Sequence, residues 1–101
     1  MEYATREGPA GLEIALSGKL TMRDHEQFRT LVASIGDSGG GTCVLDLSRL
    51  DFIDSAGLGF FLLIQDTAKE KAKRVVLRQP KPPVRRLLEV ACFHTLFPIE
   101  E

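Results

Sequence analysis

Asp54 and Ser55 are the residues of this chain best placed to do chemistry. They stand in the run LDLSRLDFIDSAGLGFF, residues 45–61, where a buried strand passes through a short loop into a helix. The small residues Ala56, Gly57 and Gly59 follow them. A hydroxyl at a helix N-terminus, flanked by narrow chain, is open to another protein's active site. The free N–H groups and the positive dipole end of that first turn also suit a phosphoryl group. Ser55 is therefore read as a substrate for phosphorylation and not as a catalyst. A plainer role stands beside this one: Ser is a preferred N-cap, and Asp54 is a second candidate cap that would leave the Ser55 hydroxyl free. Asp54 has three open roles: orienting the Ser55 segment, approaching a kinase's Mg²⁺, or holding a turn through local backbone N–H groups.

Other chemistries find no residues to carry them. No G-x-S-x-G elbow presents a nucleophile, and Ser38-Gly39-Gly40-Gly41 lacks the lysine of a phosphate-binding loop, so it reads as a loose linker. His25 and His94 are far apart and have no metal-ligand spacing; no metal or cofactor is expected. Cys43 and Cys92 form no C-x-x-C pair and read as two reduced, mostly buried thiols of a cytoplasmic protein. With 13 basic and 14 acidic residues the net charge is −1, which gives no footprint for nucleic acid. The N-terminus MEYATREGPAG is polar, and the longest apolar run, Phe60 to Ile64, is too short to span a bilayer, so no direct membrane insertion is expected.

The elements that must position Ser55 follow from periodicity. A chain of 101 residues, 44% apolar, predicts one domain over 1–101 with one modest core. Leu12, Ile14 and Leu16 alternate with Glu13, Ala15 and Ser17, which predicts a half-buried strand ended by Gly18. Gly8, Pro9 and Gly11 turn the chain before it, so Tyr3 to Arg6 forms the other arm of a hairpin. Thr21, with Asp24 at capping-box spacing, opens a helix whose stripe is Phe28, Leu31, Val32 and Ile35 and whose end is Gly36. Cys43 to Leu47 reads as a strand covered on both faces. The helix after Ser55 is expected to reach about Lys73. Arg74 to Arg78 is an interior strand. Pro82 and Pro83 suit the first turn of a helix striped by Val84, Leu87, Leu88 and Ala91. Leu96 to Ile99 adds a short edge strand. The order β-β-α-β-α-β-α-β implies an α/β fold with a mixed sheet, right-handed crossovers and an N-terminal hairpin.

At about 100° per residue, Gly57, Phe60, Phe61, Ile64 and Ala68 share the core face of the Ser55 helix. Asp66, Lys69 and Glu70 fall opposite, with Ser55. Leu62 lies among these polar residues, Leu58 lies at the border, and Gly59 on this side permits close backbone approach. Single exposed leucines are ordinary on protein surfaces. Beside a capping serine, the Leu-Gly-Leu surface also suits a docking partner. Asp46 reads as structural, and Arg85 and Arg86 as a solvated helix face.

These residues resemble the STAS family (sulfate transporter and anti-sigma factor antagonist domains), above all its single-domain bacterial anti-sigma factor antagonists. The resemblance rests on Asp46-Leu47-Ser48 and on Phe52-Ile53-Asp54-Ser55-Ala56-Gly57-Leu58-Gly59. Gly18-Lys19-Leu20, Arg86-Leu87-Leu88-Glu89 and Leu96-Phe97-Pro98-Ile99 are weaker echoes. It implies a STAS-like mixed sheet with helices packed on it, and it maps the family's phosphorylated serine onto Ser55. It further implies that the unmodified chain binds a serine kinase that is also an anti-sigma factor, releasing a sigma factor. Phosphorylation reverses that binding, and a PP2C-type phosphatase resets it. The partner surface so implied is Asp54, Ser55, Ala56, Gly57, Leu58, Gly59 and Leu62, on a monomer or weak homodimer. Two alternatives stay open: a switch with a non-sigma partner, such as a response-regulator kinase/phosphatase in biofilm control, or a non-phosphorylated adaptor of a membrane transport complex. The chain departs from the family in having Thr21 where Asp is common, and Cys92 where a Gly often ends the last helix. The second departure predicts a helix end without the left-handed cap.

Overall fold

The computed structural model describes residues 1–37 and 39–100. The elements are β1 (Glu2–Glu7), β2 (Leu12–Leu20), α1 (His25–Asp37), β3 (Thr42–Ile53), α2 (Ser55–Glu70), β4 (Arg74–Arg78), α3 (Pro82–Val90) and β5 (Ile99–Glu100). Short 3-10 turns at Met22–Asp24 and Phe93–Thr95 complete the path. The sheet order is β1-β2-β3-β4-β5, with β1 antiparallel to β2 and every other neighbour parallel. This is the α/β mixed sheet with an N-terminal hairpin that the periodicity implies.

Alternation decides which side of the sheet meets the helices. Ile14, Leu45 and Leu77 stand side by side on β2, β3 and β4, and all are fully buried. They join Leu16, Cys43, Leu47 and Val75 in one core with Phe28, Leu31 and Ile35 of α1, Phe61, Ile64 and Ala68 of α2, and Val84 and Leu88 of α3. Stacked rings of Phe28 and Phe60, with centroids 4.9 Å apart, tie α1 to α2. Val44 and Val76 are buried but stand outside that core. In the row holding Val44, Glu13 accepts from Arg6 Nη2 at 2.7 Å and Arg78 Nη1 at 3.4 Å. Arg78 continues to Glu100 at 3.3 Å. Burial pushes the Cys43 thiol up to about 11, against the pull of Lys73, so Cys43 stays an inert, protonated core residue.

Several local expectations are corrected. Gly18 does not end β2; it takes φ +82 at a register shift, and the strand continues through this bulge to Leu20. Gly36 lies inside α1, which runs to Asp37. Of the supposed loose linker, Ser38 lies outside the described residues, whereas Gly40 is held in a β-bridge to Gly11. A Cβ on Gly40 would lie 2.6 Å from the Gly11 Cα, so the close approach requires a glycine there. α2 stops at Glu70, three residues earlier than expected; Ala72 takes φ 56, and Lys73 N–H closes the end by donating to Ala68 C=O at 2.8 Å.

On α3 only Val84 and Leu88 are buried; Leu87 and Ala91 are exposed, the helix being a short one whose core stripe is two residues wide. The last strand begins at Ile99, because Phe97 turns inward to Phe93 instead of pairing with β4. Cys92 is exposed, not buried, and it adopts the left-handed conformation (φ 61) despite its Cβ. Both cysteines are free thiols.

Candidate functional site

β3 runs to Ile53, so no loop intervenes before α2, and Asp54 alone makes the joint. Its backbone is extended, and its N–H donates to Leu20 C=O at 3.2 Å at the end of β2. Its carboxylate faces two elements. Oδ1 accepts the Gly57 N–H at 2.8 Å, and Oδ2 accepts the Met22 N–H at 3.4 Å. Asp54 is thus the N-cap, which settles the choice between the two candidate caps. Ser55 becomes the first helical residue. It is exposed, and its hydroxyl makes no hydrogen bond among the described residues.

Two glycines in the next turn have opposite surroundings. A Cβ on Gly57 would lie 2.6 Å from Ile53 Cγ1 and 2.9 Å from the Leu20 carbonyl oxygen. Only a glycine lets α2 sit this close to the ends of β2 and β3. Gly57 is buried, so it seats the helix and offers no surface to a partner. A Cβ on Gly59 would meet nothing within 4 Å. Gly59 is exposed in a helix interior, where Gly costs about 1 kcal/mol relative to Ala. Nothing in the fold requires it.

The rest of the expected surface divides in the same way. Ala56 and Leu58 are half-buried, and Leu58 packs against the core. Leu62 is exposed at 38%, as the wheel predicts, with Asp66, Lys69 and Glu70 on the same side. Sequence reasoning missed Leu63, which is exposed at 43%. The signal was present: at about 100° per residue Leu63 lies roughly 80° from Ser55, off the core face. Phe52 and Met22, both exposed, were missed as well. Phe52 precedes the buried Ile53, and the alternation of a strand sends neighbouring side chains to opposite sides.

Beside Asp54 lies a cleft of about 490 Å³ lined by Lys19, Thr21, Met22, Arg23 and Asp24. The capping box expected of Thr21 and Asp24 is present, but it opens the 3-10 turn Met22–Asp24, and α1 itself begins at His25: Thr21 Oγ1 accepts the Arg23 N–H at 3.3 Å, and Asp24 Oδ2 accepts the Thr21 N–H at 2.8 Å. Burial pushes the Asp24 carboxyl up, but the Thr21 N–H and the Met1 ammonium hold it below its ordinary value overall. Asp46 accepts the Ser48 N–H at 3.0 Å, the structural part expected of it. Arg85 pairs with Glu89 along α3 at 3.4 Å. Among the described residues no cluster of His, Cys, Asp or Glu could hold a metal ion, and no helix is long and apolar enough to cross a membrane.

Residues 3–98 match the family described as Mlab, STAS domain. The protein named "Putative anti-sigma factor antagonist BtrV" of Bordetella bronchiseptica is 38% identical over 90 residues, covering 88% of this chain and 78% of BtrV. A STAS-domain containing protein of Pseudomonas aeruginosa is 30% identical over 88 residues, covering 87% and 86% of the two chains. Among solved structures, the anti-sigma factor antagonist SpoIIAA in its unphosphorylated form superposes with a TM-score of 0.81 at 22% identity, covering 99% of this chain and 89% of SpoIIAA. The phosphorylated form of the Bacillus protein gives 0.72, also at 22%, over 99% and 92%. At that identity the superpositions establish the fold.

Proposed function

The chain belongs to the STAS family, in the company of its anti-sigma factor antagonists, and from that premise we propose that it is a partner switch thrown by phosphorylation of Ser55. The unmodified chain binds a serine kinase that is also an anti-sigma factor, and a sigma factor is released. The kinase transfers the γ-phosphoryl group of ATP to Ser55 Oγ. The Oγ–P bond forms, the bond to the ADP oxygen breaks, and the serine proton passes to a carboxylate base on the kinase. The modified chain lets go, and a PP2C-type phosphatase hydrolyses the phosphate. In this cycle the chain is a substrate and a ligand, not an enzyme, and it acts in the cytoplasm.

The observation that carries this reading is the division of labour between neighbours: Asp54 takes the cap, and the Ser55 hydroxyl is left exposed. Exposed Gly59, Leu62 and Leu63 extend the surface along α2. Gly59 lets a partner backbone come close, and the leucines supply apolar contact. A phosphate adds about −1.5 to −2 charges and strong acceptor oxygens. Within the chain those charges meet the N-terminal end of α2, where the helix dipole favours them, so the fold survives the modification. Within a complex they must be desolvated beside leucines and next to the Asp54 carboxylate. The switch is electrostatic, and it acts on the interface.

Incubation with the cognate kinase and ATP tests the reading. The expected result is one phosphoryl group on Ser55, none on a Ser55→Ala chain, and partner binding retained by Ser55→Ala. Ser55→Asp is expected to weaken binding, with one carboxylate an imperfect substitute for phosphate. A partner bound equally by the wild-type chain and by Ser55→Asp, with no phosphate incorporated, would point instead to a fixed adaptor.

A further inference from the structure

The Asp54 carboxylate joins two elements of unequal firmness. Its 2.8 Å bond to Gly57 N–H belongs to the cap of a 16-residue helix that is seated against Leu20 and Ile53. Its 3.4 Å contact to Met22 N–H is long for a hydrogen bond. Met22 begins the turn between β2 and α1. That turn is internally braced by the Thr21–Asp24 capping box and by Asp24 N–H donating to Thr21 C=O at 3.0 Å. The Met1 ammonium also holds this turn through Asp24 Oδ1 at 3.0 Å, and the Met22 contact is the turn's side-chain tether to the Ser55 joint. The Met22 side chain is 72% exposed, at the lip of the cleft that Asp54 lines.

We infer that Asp54 is a positioning residue that couples the charge state of Ser55 to the Met22 turn. This rests on Ser55 being the phosphorylated residue. A phosphate on residue 55 stands next to the Asp54 carboxylate and repels it. The phosphate oxygens also compete for the free N–H groups of the first turn of α2. The carboxylate keeps its short bond to Gly57 and gives up the long one to Met22, because the weaker contact yields first. Phosphorylation then does two things: it charges the surface at Ser55, and it unpins an exposed methionine that borders it.

The test needs no kinase and no partner. Phosphoserine is placed at position 55 of the full chain during synthesis, and amide hydrogen exchange and amide resonances are compared with the unmodified chain at one pH. The expected result is severalfold faster exchange of the Met22 amide and displaced Met22 and Arg23 resonances, with the Gly57 amide still protected. In Asp54→Asn, which keeps an acceptor for Gly57 but turns an amide NH2 toward the Met22 N–H, the Met22 contact is already absent and the phosphate-induced change at Met22 is lost. Asp54→Ser, whose single oxygen caps Gly57 and cannot also reach Met22, gives the same loss and decides the matter if Asp54→Asn folds poorly. Unchanged Met22 exchange in the phosphorylated chain, or an equal acceleration in the Asp54 variants, would overturn the coupling. The switch reading fails separately, through a kinase that does not modify Ser55.

Discussion

The two faces of α2 obey different rules. On the inner face every residue is accounted for by packing: Gly57 lets the helix approach the sheet, and Phe61, Ile64 and Ala68 fill the core. On the outer face Gly59 weakens the helix with no steric return, and Leu62 and Leu63 leave apolar surface in water beside a free hydroxyl. Folding explains the first set and not the second. Sites where local rules are broken without a packing gain are where functional surfaces are expected, and the outer face of α2 holds such a site at Gly59.

Substitutions on the two faces should separate stability from binding. The largest effect is expected inside: Phe61→Ala should lower unfolding free energy by about 3–5 kcal/mol, whereas Leu62→Arg should stay within about 0.5 kcal/mol and instead abolish partner binding. Denaturant titration of both, with pull-down of the folded chain, checks the pair. A sharp loss of stability in Leu62→Arg with normal binding by the folded fraction would assign Leu62 to the core.

The two glycines sharpen the contrast at a single atom. Gly57→Ala drives a Cβ into Ile53 and the Leu20 carbonyl and should cost about 1–3 kcal/mol, the range for overpacking. Gly59→Ala meets open space and should stabilise by up to about 1 kcal/mol while weakening the complex. Thermal melting of the two variants should move in opposite directions. Movement in the same direction would erase the distinction between the faces.

The smallest effect belongs to a region remote from α2. The hydrogen bond from Arg6 holds the Glu13 carboxyl below its ordinary value against the opposing effect of burial, with Arg78 adding to the pull. A depressed carboxyl contributes stability that is present above its unfolded value, near the ordinary carboxylate range. That contribution is lost as pH falls through the lower folded value. Glu13→Gln should therefore lower the melting temperature slightly at neutral pH and not at strongly acid pH. It should leave partner binding intact at both. A binding defect in Glu13→Gln would extend the functional surface to the sheet.

The strands and helices were legible because alternation and caps mark them: Leu12-x-Ile14-x-Leu16 can bury one face only as a strand, and Thr21 with Asp24 spells out a helix start. What was not legible depended on contacts between distant segments. Gly18 reads equally as a strand end and as a bulge, and only pairing with β3 decides. Cys92 carries a Cβ that argues against a left-handed residue, yet the packing of Phe93 and Phe97 against the core accompanies it in that conformation. Ser55 and Asp54 are both good caps by type. The close seating of Gly57 on Leu20 fixes the helix start and so frees the serine, and that distance is tertiary information. Leu63, roughly 80° from Ser55, lies between the faces, where periodicity is least decisive.

In the proposed switch, phosphate charge carried at the exposed Ser55 hydroxyl governs a complex without unfolding the chain. The direct measurement is the dissociation constant of the cognate anti-sigma partner for the unmodified chain and for the same chain phosphorylated at Ser55, alongside both melting temperatures. The prediction is binding weaker by about a hundredfold, equivalent to ~2.7 kcal/mol, with melting temperatures equal or slightly raised by the phosphate. Equal dissociation constants, or a loss of binding matched by a loss of folded structure, would contradict it.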